Sequence, residues 1–390
     1  MKKIRNIIIV LILLVFTNYG TFKLASSGYF YNLTKDEEKM HLQKMKFLEK
    51  KVEDDFLYKV DKEKLRQGEL KGMVASLGDP YSEYLTLEDF DALAEQTNGK
   101  FFGIGVSVSS NEEGQILVIA PIKDTPAEKV GIKTGDLIIK VNGEPVSGND
   151  LQAAVAKIKG DKGTSVKITI YRPSTKETKD IDVKRDEIKL ETVISNTIKD
   201  LGYIGITQFN DNTYDEFTKA LNNLKEKNVR GLIIDLRGNP GGTVDSVEKI
   251  ANELLPEGTI VSAKNRDGQV VFDYKSDKEY VNLPMAVLIN GGSASASEIL
   301  AGAIRDFKMG TLIGEKSFGK GIVQSVFPFP DGSGLKITTS EYFTPSGENI
   351  HKKGIKPDIE VKLPENVKGI GIEYLNTDSQ LKKAIEVLEK

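Results

Sequence analysis

The run Asn290-Gly291-Gly292-Ser293-Ala294-Ser295-Ala296-Ser297-Glu298 places three hydroxyls and a carboxylate where one kind of structure gives way to another. Met285 to Ile289 before it is a continuous apolar strand pattern, and after it Ile299, Leu300, Ala303, Ile304 and Phe307 recur at the three- and four-residue spacing of a helix. A strand must therefore turn sharply into a helix. In the plain reading Ser295 and Glu298 form a Ser-x-x-Glu capping box, the hydroxyl accepting from the amide three residues on. The same position suits a nucleophile, because free N–H groups and the positive end of the helix dipole lie where an oxyanion would form.

A serine hydroxyl needs a base to take its proton. The downstream histidine, His351, falls in the polar stretch Asn349 to Gly354. A lysine can act instead when burial removes its charge. Lys320 lies between two glycines ahead of the apolar run from Ile322, which would carry it against a core, whereas Lys316 is less well framed. The plain alternative for Lys320 is a surface lysine in a glycine turn. Gly314 to Lys320 also satisfies most of a P-loop pattern, but Gly321 stands where Ser or Thr would hold magnesium, and strand-like residues follow where a helix is required. A third candidate is Asp235-Leu236-Arg237-Gly238-Asn239-Pro240-Gly241-Gly242, directly after the buried-strand pattern of Leu232 to Ile234. Loops at the carboxyl ends of strands are where α/β folds keep ligands, although a tight strand-to-helix connection would look the same.

The elements that must position these groups follow from composition and periodicity. The 390 residues are 39% apolar and 28% charged, which excludes a wholly disordered chain and suggests two to three domains. A net charge of -3 gives no field for gathering nucleic acid, and the absence of cysteine removes disulfides, thiolate chemistry and cysteine-based zinc sites. With His41 and His351 as the only histidines, a histidine-rich metal site has no material. Lys2, Lys3 and Arg5 precede the ten apolar residues Ile7 to Phe16, the pattern of an export signal; a weak Ala25-Ser26-Ser27 site favours an uncleaved membrane anchor. Residues 36 to 77 read as a helical segment that could pair with another chain, broken at Asp79-Pro80. From 101 to 185 short alternating runs separated by glycine and polar residues read as a small β domain, with one helix from Asn149 to Ile158. Beyond it, strands at Gly202 to Phe209 and Gly231 to Leu236, around a helix near Thr213 to Leu224, predict an α/β domain, and Gln380 to Glu389 an amphipathic helix.

Phe102 to Val106, with Thr125-Pro126-Ala127 and Val130 to Ile138, resembles a PDZ domain. In such a module glycines let successive amides converge on a peptide carboxylate, here Phe102, Gly103, Ile104 and Gly105, while a free strand edge accepts the peptide. Asp235 to Gly242, Ser293 to Glu298 and Gly319 to Gln324 together resemble the carboxyl-terminal processing peptidases, tail-specific S41-type serine peptidases with a Ser-Lys dyad. Gly78 to Leu85 and Ile350 to Asp358 agree, so the similarity runs from about residue 36 to the end.

The resemblance implies a crotonase-like α/β protease core with an inserted PDZ domain and a helical N-terminal region. Its divisions would be 1–27 as signal peptide or anchor, 28–100 helical, 101–185 PDZ, 186–364 peptidase core and 365–390 a helical C-terminal segment. It implies Ser295 as nucleophile, Lys320 as general base, Gln324 as that lysine's partner, and the amides of Ala296 and Gly241, in preference to Gly242, as oxyanion donors. No metal or cofactor is implied. The substrates would be exported polypeptides with free carboxyl ends, cleaved at the outer face of a cell membrane or after secretion, by a possible homodimer. The rival readings are a non-catalytic PDZ adaptor, a nucleotide-binding protein using Gly314 to Lys320, and a serine-histidine variant using His351.

Overall fold

The computed structural model describes residues 36–364 and 367–390. The expected N-terminal signal or anchor lies outside the described residues. No helix among the described residues is long and apolar enough to cross a membrane. Two compact units divide the chain, one ending at Gly78 and the other beginning at Asp79.

In the first unit the single helical segment expected over 36 to 77 is two helices, Asp36–Asp55 and Lys62–Ala75. Asp61 caps the second, its carboxylate accepting from the amides of Glu63 and Lys64. A cap of this kind starts a helix anew, and helical periodicity on both sides hid the break.

The second unit is built on a six-stranded sheet. Its order is Val193–Ile198, Leu201–Ile206, Leu232–Asp235, Met285–Ile289, Gly310–Gly314 and Ile359–Glu360, antiparallel at the first pair and parallel thereafter. Continuous apolar strands require cover on both faces, and alternate residues go to opposite sides. Leu232, Ile234 and Leu236 pack with the helices Thr213–Glu226, Val244–Leu254 and Ala296–Asp306. Ile233, Ala286 and Leu288 face the other way, onto Leu381 and Ala384 of the C-terminal helix Ser379–Leu388.

That C-terminal helix is also tied to the sheet by charge. Asp235 and Asp378 both hold the guanidinium of Arg237, which is fully buried, and Gln380 accepts from it as well. Burial alone would lower the Arg237 pKa, but the two carboxylates hold it above its ordinary value. Asp378 is likewise raised by burial and more than compensated by Arg237 and by the amides of Gly371 and Leu381, so it stays below the usual carboxylate range.

A second sheet supplies the other wall of the site. The strand Gly334–Phe343 is its hub, pairing with Ile322–Pro328, with Glu83–Leu85 and with Gly258–Asn265, which in turn pairs with Val270–Ser276. The long hub strand is polar in its middle and has no clean alternation, which is why periodicity gave no sign of it.

The β domain departs from the core through adjacent strands, Lys100–Gly103 leaving and Asp186–Lys189 returning, paired antiparallel. Between them lies a sheet in the order Val106–Ser110, Ile116–Pro121, Leu137–Val141, Ser165–Arg172 and Glu177–Lys184. Its own apolar core includes Ile116, Ile138, Ile168 and Ala154 of the helix Leu151–Ile158. Val106–Ser110 is an edge strand, paired on one side only.

Asp378→Ala would leave the Arg237 charge half-compensated in the interior, so unfolding free energy should fall by about 3–5 kcal/mol, read from the urea midpoint. Asp378 has a depressed pKa, so its contribution is full above the unfolded carboxyl pKa and is lost as pH falls through the folded value.

Candidate active site

Ser295 is the residue before the helix Ala296–Asp306, with φ +53° and ψ -114°. A side chain rarely adopts that backbone, and the surroundings hold it there. The carboxylate half of the expected capping box is present, since Glu298 accepts the Ser295 N–H at 3.0 Å. The Glu298 N–H is donated to the Ser295 carbonyl oxygen at 2.8 Å, so the main chain satisfies the amide that a capping hydroxyl would take. The buried Tyr342 hydroxyl donates to the same carbonyl at 3.2 Å; burial and the nearby Glu298 carboxylate push its pKa well up, which keeps the donor protonated.

The other two serines are committed elsewhere. Ser293 donates its hydroxyl to the Leu236 carbonyl at 2.8 Å and Ser297 to the Asn239 carbonyl at 3.0 Å, and both are fully buried. They fasten the helix start to the Asp235 loop, while Ser295 lines a cavity. Gly241 of that loop is so close that a Cβ there would stand 2.7 Å from the Ser295 Cβ and 2.9 Å from the Ala296 nitrogen. The Gly241 amide, expected to donate to an oxyanion, instead donates to the Asn239 side-chain oxygen at 2.8 Å. Asn239 also reaches the Ile206 carbonyl and so fixes the loop's shape. The amides of Ala296 and Gly242 have no acceptor among the described residues.

Lys320 and Gln324 line the same cavity as Ser295. Lys320 sits in the loop between Gly310–Gly314 and Ile322–Pro328, and the main chain of that loop is held by the fully buried Glu298. One Glu298 oxygen accepts from the Ser317 hydroxyl at 2.5 Å and the Gly319 N–H at 2.7 Å, and the other from the Lys320 N–H at 2.8 Å and the Ser295 N–H. Burial pushes the Lys320 ammonium below the ordinary lysine pKa, assisted by the charge of Lys336; Asp79 and Glu298 oppose the shift. The amine stands 4.7 Å from the centre of the Tyr81 ring. Gln324 donates from Nε2 to the Thr338 hydroxyl at 3.1 Å.

His351 does not line this cavity; its main chain packs against Gly321, and its buried Nδ1 has no hydrogen-bond partner. The loop from Gly314 leads into a strand, so no helix N-terminus is present for a phosphate. Sequence reasoning missed Asn239 as the holder of the Gly241 amide, and also Tyr342 and Thr338. Asn239 was visible inside its motif, whereas the other two act through strand register, which leaves no local mark.

In the β domain, Phe102 and Gly103 belong to the stem strand paired with Asp186–Lys189, and Ile104 and Gly105 form the turn into the edge strand. Gly105 has φ +77°, and a Cβ there would lie 2.4 Å from Thr125, so only glycine fits. The Thr125 hydroxyl lies between the Ile122 carbonyl at 2.5 Å and the Gly105 carbonyl at 3.0 Å, anchoring this turn.

These features fit a serine-type hydrolase core carrying a separate β module. Residues 200–361 match peptidase family S41, residues 103–184 the PDZ domain, and residues 23–89 the activating protease CtpB N-terminal domain. The carboxy-terminal processing protease CtpB of Bacillus subtilis (strain 168) is 42% identical over 80% of this chain and 66% of its own length. CtpA of the same organism is 42% identical over 85% and 70%. A solved structure from Bacteroides fragilis NCTC 9343, assigned as an S41 protease, shares the fold at 17% identity and TM-score 0.50, covering 86% of this chain and 91% of that one. The chain belongs to the carboxy-terminal processing proteases of peptidase family S41, and it spans about two thirds of the length of these Bacillus relatives.

Glu298→Gln would turn an NH2 group toward two of the four donors. Unfolding free energy should drop by about 2–4 kcal/mol, visible as a lower Tm, because buried donors are left unpaired.

Proposed function

We propose that the chain is a serine endopeptidase that cuts polypeptides by a Ser295–Lys320 dyad and an acyl-enzyme. The observation that carries this is one cavity shared by a serine in a rarely adopted backbone geometry and an amine whose charge is disfavoured by burial. Neutral Lys320 takes the Ser295 proton as the oxygen attacks the peptide carbonyl, and then returns it to the leaving amine. Water, deprotonated by the same amine, releases the acyl group. Ala296 and the Gly241–Gly242 loop supply the oxyanion amides; with Gly241 engaged by Asn239, Gly242 is the donor we favour. Gln324 accepts from the Lys320 amine and keeps its lone pair aimed at the serine. Metal and cofactor have no part in these steps.

The core is crotonase-like in this reading, with the β module inserted between its first strands and the C-terminal segment packed as part of it. The module's turn at Phe102 to Gly105 and its edge strand Val106–Ser110 receive a free carboxyl-terminal tail by strand addition. The names of the Bacillus relatives support carboxyl-terminal processing, and the family assignment favours an enzyme over a PDZ adaptor. Residues 1–27 would place the enzyme outside the cell membrane or secrete it, and the helical N-terminal unit could pair two copies.

Ser295→Ala and Lys320→Ala should each abolish cleavage of an unstructured polypeptide while the Tm stays near wild type, whereas His351→Ala should retain catalysis. Amidating the substrate's carboxyl end should slow cleavage. The base is the deprotonated amine, so kcat/KM should rise with pH through a limb below lysine's ordinary 10.5.

A further inference from the structure

Asp79, Ser82 and Thr338 form a knot of hydrogen bonds behind Gln324. The Asp79 carboxylate accepts the Ser82 hydroxyl at 2.5 Å and the Thr338 hydroxyl at 2.7 Å on one oxygen, and the Tyr81 N–H at 3.2 Å on the other. Burial raises the Asp79 pKa, but these three donors hold it below the ordinary carboxylate value, so the group is ionised and only accepts. The Ser82 oxygen in turn accepts the Thr338 N–H at 3.0 Å.

A hydroxyl has one proton, and that of Thr338 is committed to Asp79. Its oxygen is therefore left as an acceptor, and the neighbouring amide must present NH2 to it. Gln324 and Thr338 are register partners across the two strands, and a bulge between Val323 and Gln324 brings the pair onto one face. With Nε2 bound at 3.1 Å, the Gln324 Oε1 accepts from no described residue and belongs to a side chain that lines the cavity with Lys320.

We propose that Asp79 and Thr338 are positioning residues of the peptidase site: the carboxylate orients the Thr338 hydroxyl, which fixes the Gln324 amide with its carbonyl toward the Lys320 amine. A reversed amide would set NH2 against the amine and remove its acceptor. This rests on the Ser295–Lys320 reading. Lys320 is faced by Lys336, Asp79, Glu298 and the Tyr81 ring, and Asp79 itself by His351.

The test compares kcat, KM and the pH profile of kcat for the full chain on one unstructured polypeptide with a free carboxyl end. Thr338→Val keeps every charge and should lower kcat on the order of 10- to 100-fold with KM little changed, as expected for a misaligned base. A carbonyl acceptor favours the ammonium, so its loss should also move the acid limb to lower pH. Thr338→Ser, which keeps the hydroxyl, should restore both. A wild-type rate and profile in Thr338→Val, or equal damage in Thr338→Ser, would overturn the proposal. Should Thr338→Val fail to fold, Asp79→Asn decides: a fall in kcat at constant KM supports the relay, and an unchanged kcat removes it. Activity surviving in Ser295→Ala would instead sink the dyad, a result these variants cannot mimic.

Discussion

A single buried carboxylate holds together the two halves of the site. Glu298 has no contact with solvent, and the four donors that compensate its burial among the described residues come from both the serine helix start and the lysine loop. Neither segment can shift without leaving a buried oxygen or its donors unpaired. The relative placement of Ser295 and Lys320 is thus set one layer beneath the cavity, and the two side chains proposed to react need make no structural bonds of their own. The price of this arrangement is a strained serine backbone, sustained by Tyr342 and by the helix amide that closes on the Ser295 carbonyl.

The helix Ala296–Asp306 does more than bury an apolar face. Ser293 just before it and Ser297 in its first turn bond to the main chain of the Asp235 loop, so strand ends from two places in the sequence are latched side by side. The parallel register of Leu232–Asp235 with Met285–Ile289 makes that latch possible by bringing both strands to the same edge at the same height. Packing on the helical face then keeps the sheet and the latch in one rigid frame.

Much of this could be read from residues. The strand-to-helix turn at Ser295, the glycine loop after a buried strand and the lysine between two glycines all leave local marks, and the edge-stranded β module shows in alternation. What escaped was whatever depends on distant pairing. Glu298 has the spacing of a cap, and nothing nearby shows that Ser317, Gly319 and Lys320 would reach it. Gly241 and Gly242 are indistinguishable by type, and only the Asn239 side chain decides which amide is engaged. Thr338 is an ordinary strand residue until a bulge at Gln324 sets its partner. The hub strand Gly334–Phe343 hides because it is half-buried through a polar middle, so neither burial nor polarity alternates there. The break between the two N-terminal helices escaped for the opposite reason, since a capped restart keeps the helical period on both sides.

The ion pair between Arg237 and Asp378 spans 141 positions of the chain. Synthesis runs from the amino end, so the loop with the glycine amides leaves the ribosome well before the second of its two counter-ions exists. Without the helix Ser379–Leu388 the Arg237 guanidinium would keep Asp235 as its one carboxylate partner among the described residues. The loop is braced only once the last helix lies across the sheet, so a product ending between these residues would leave it unbraced.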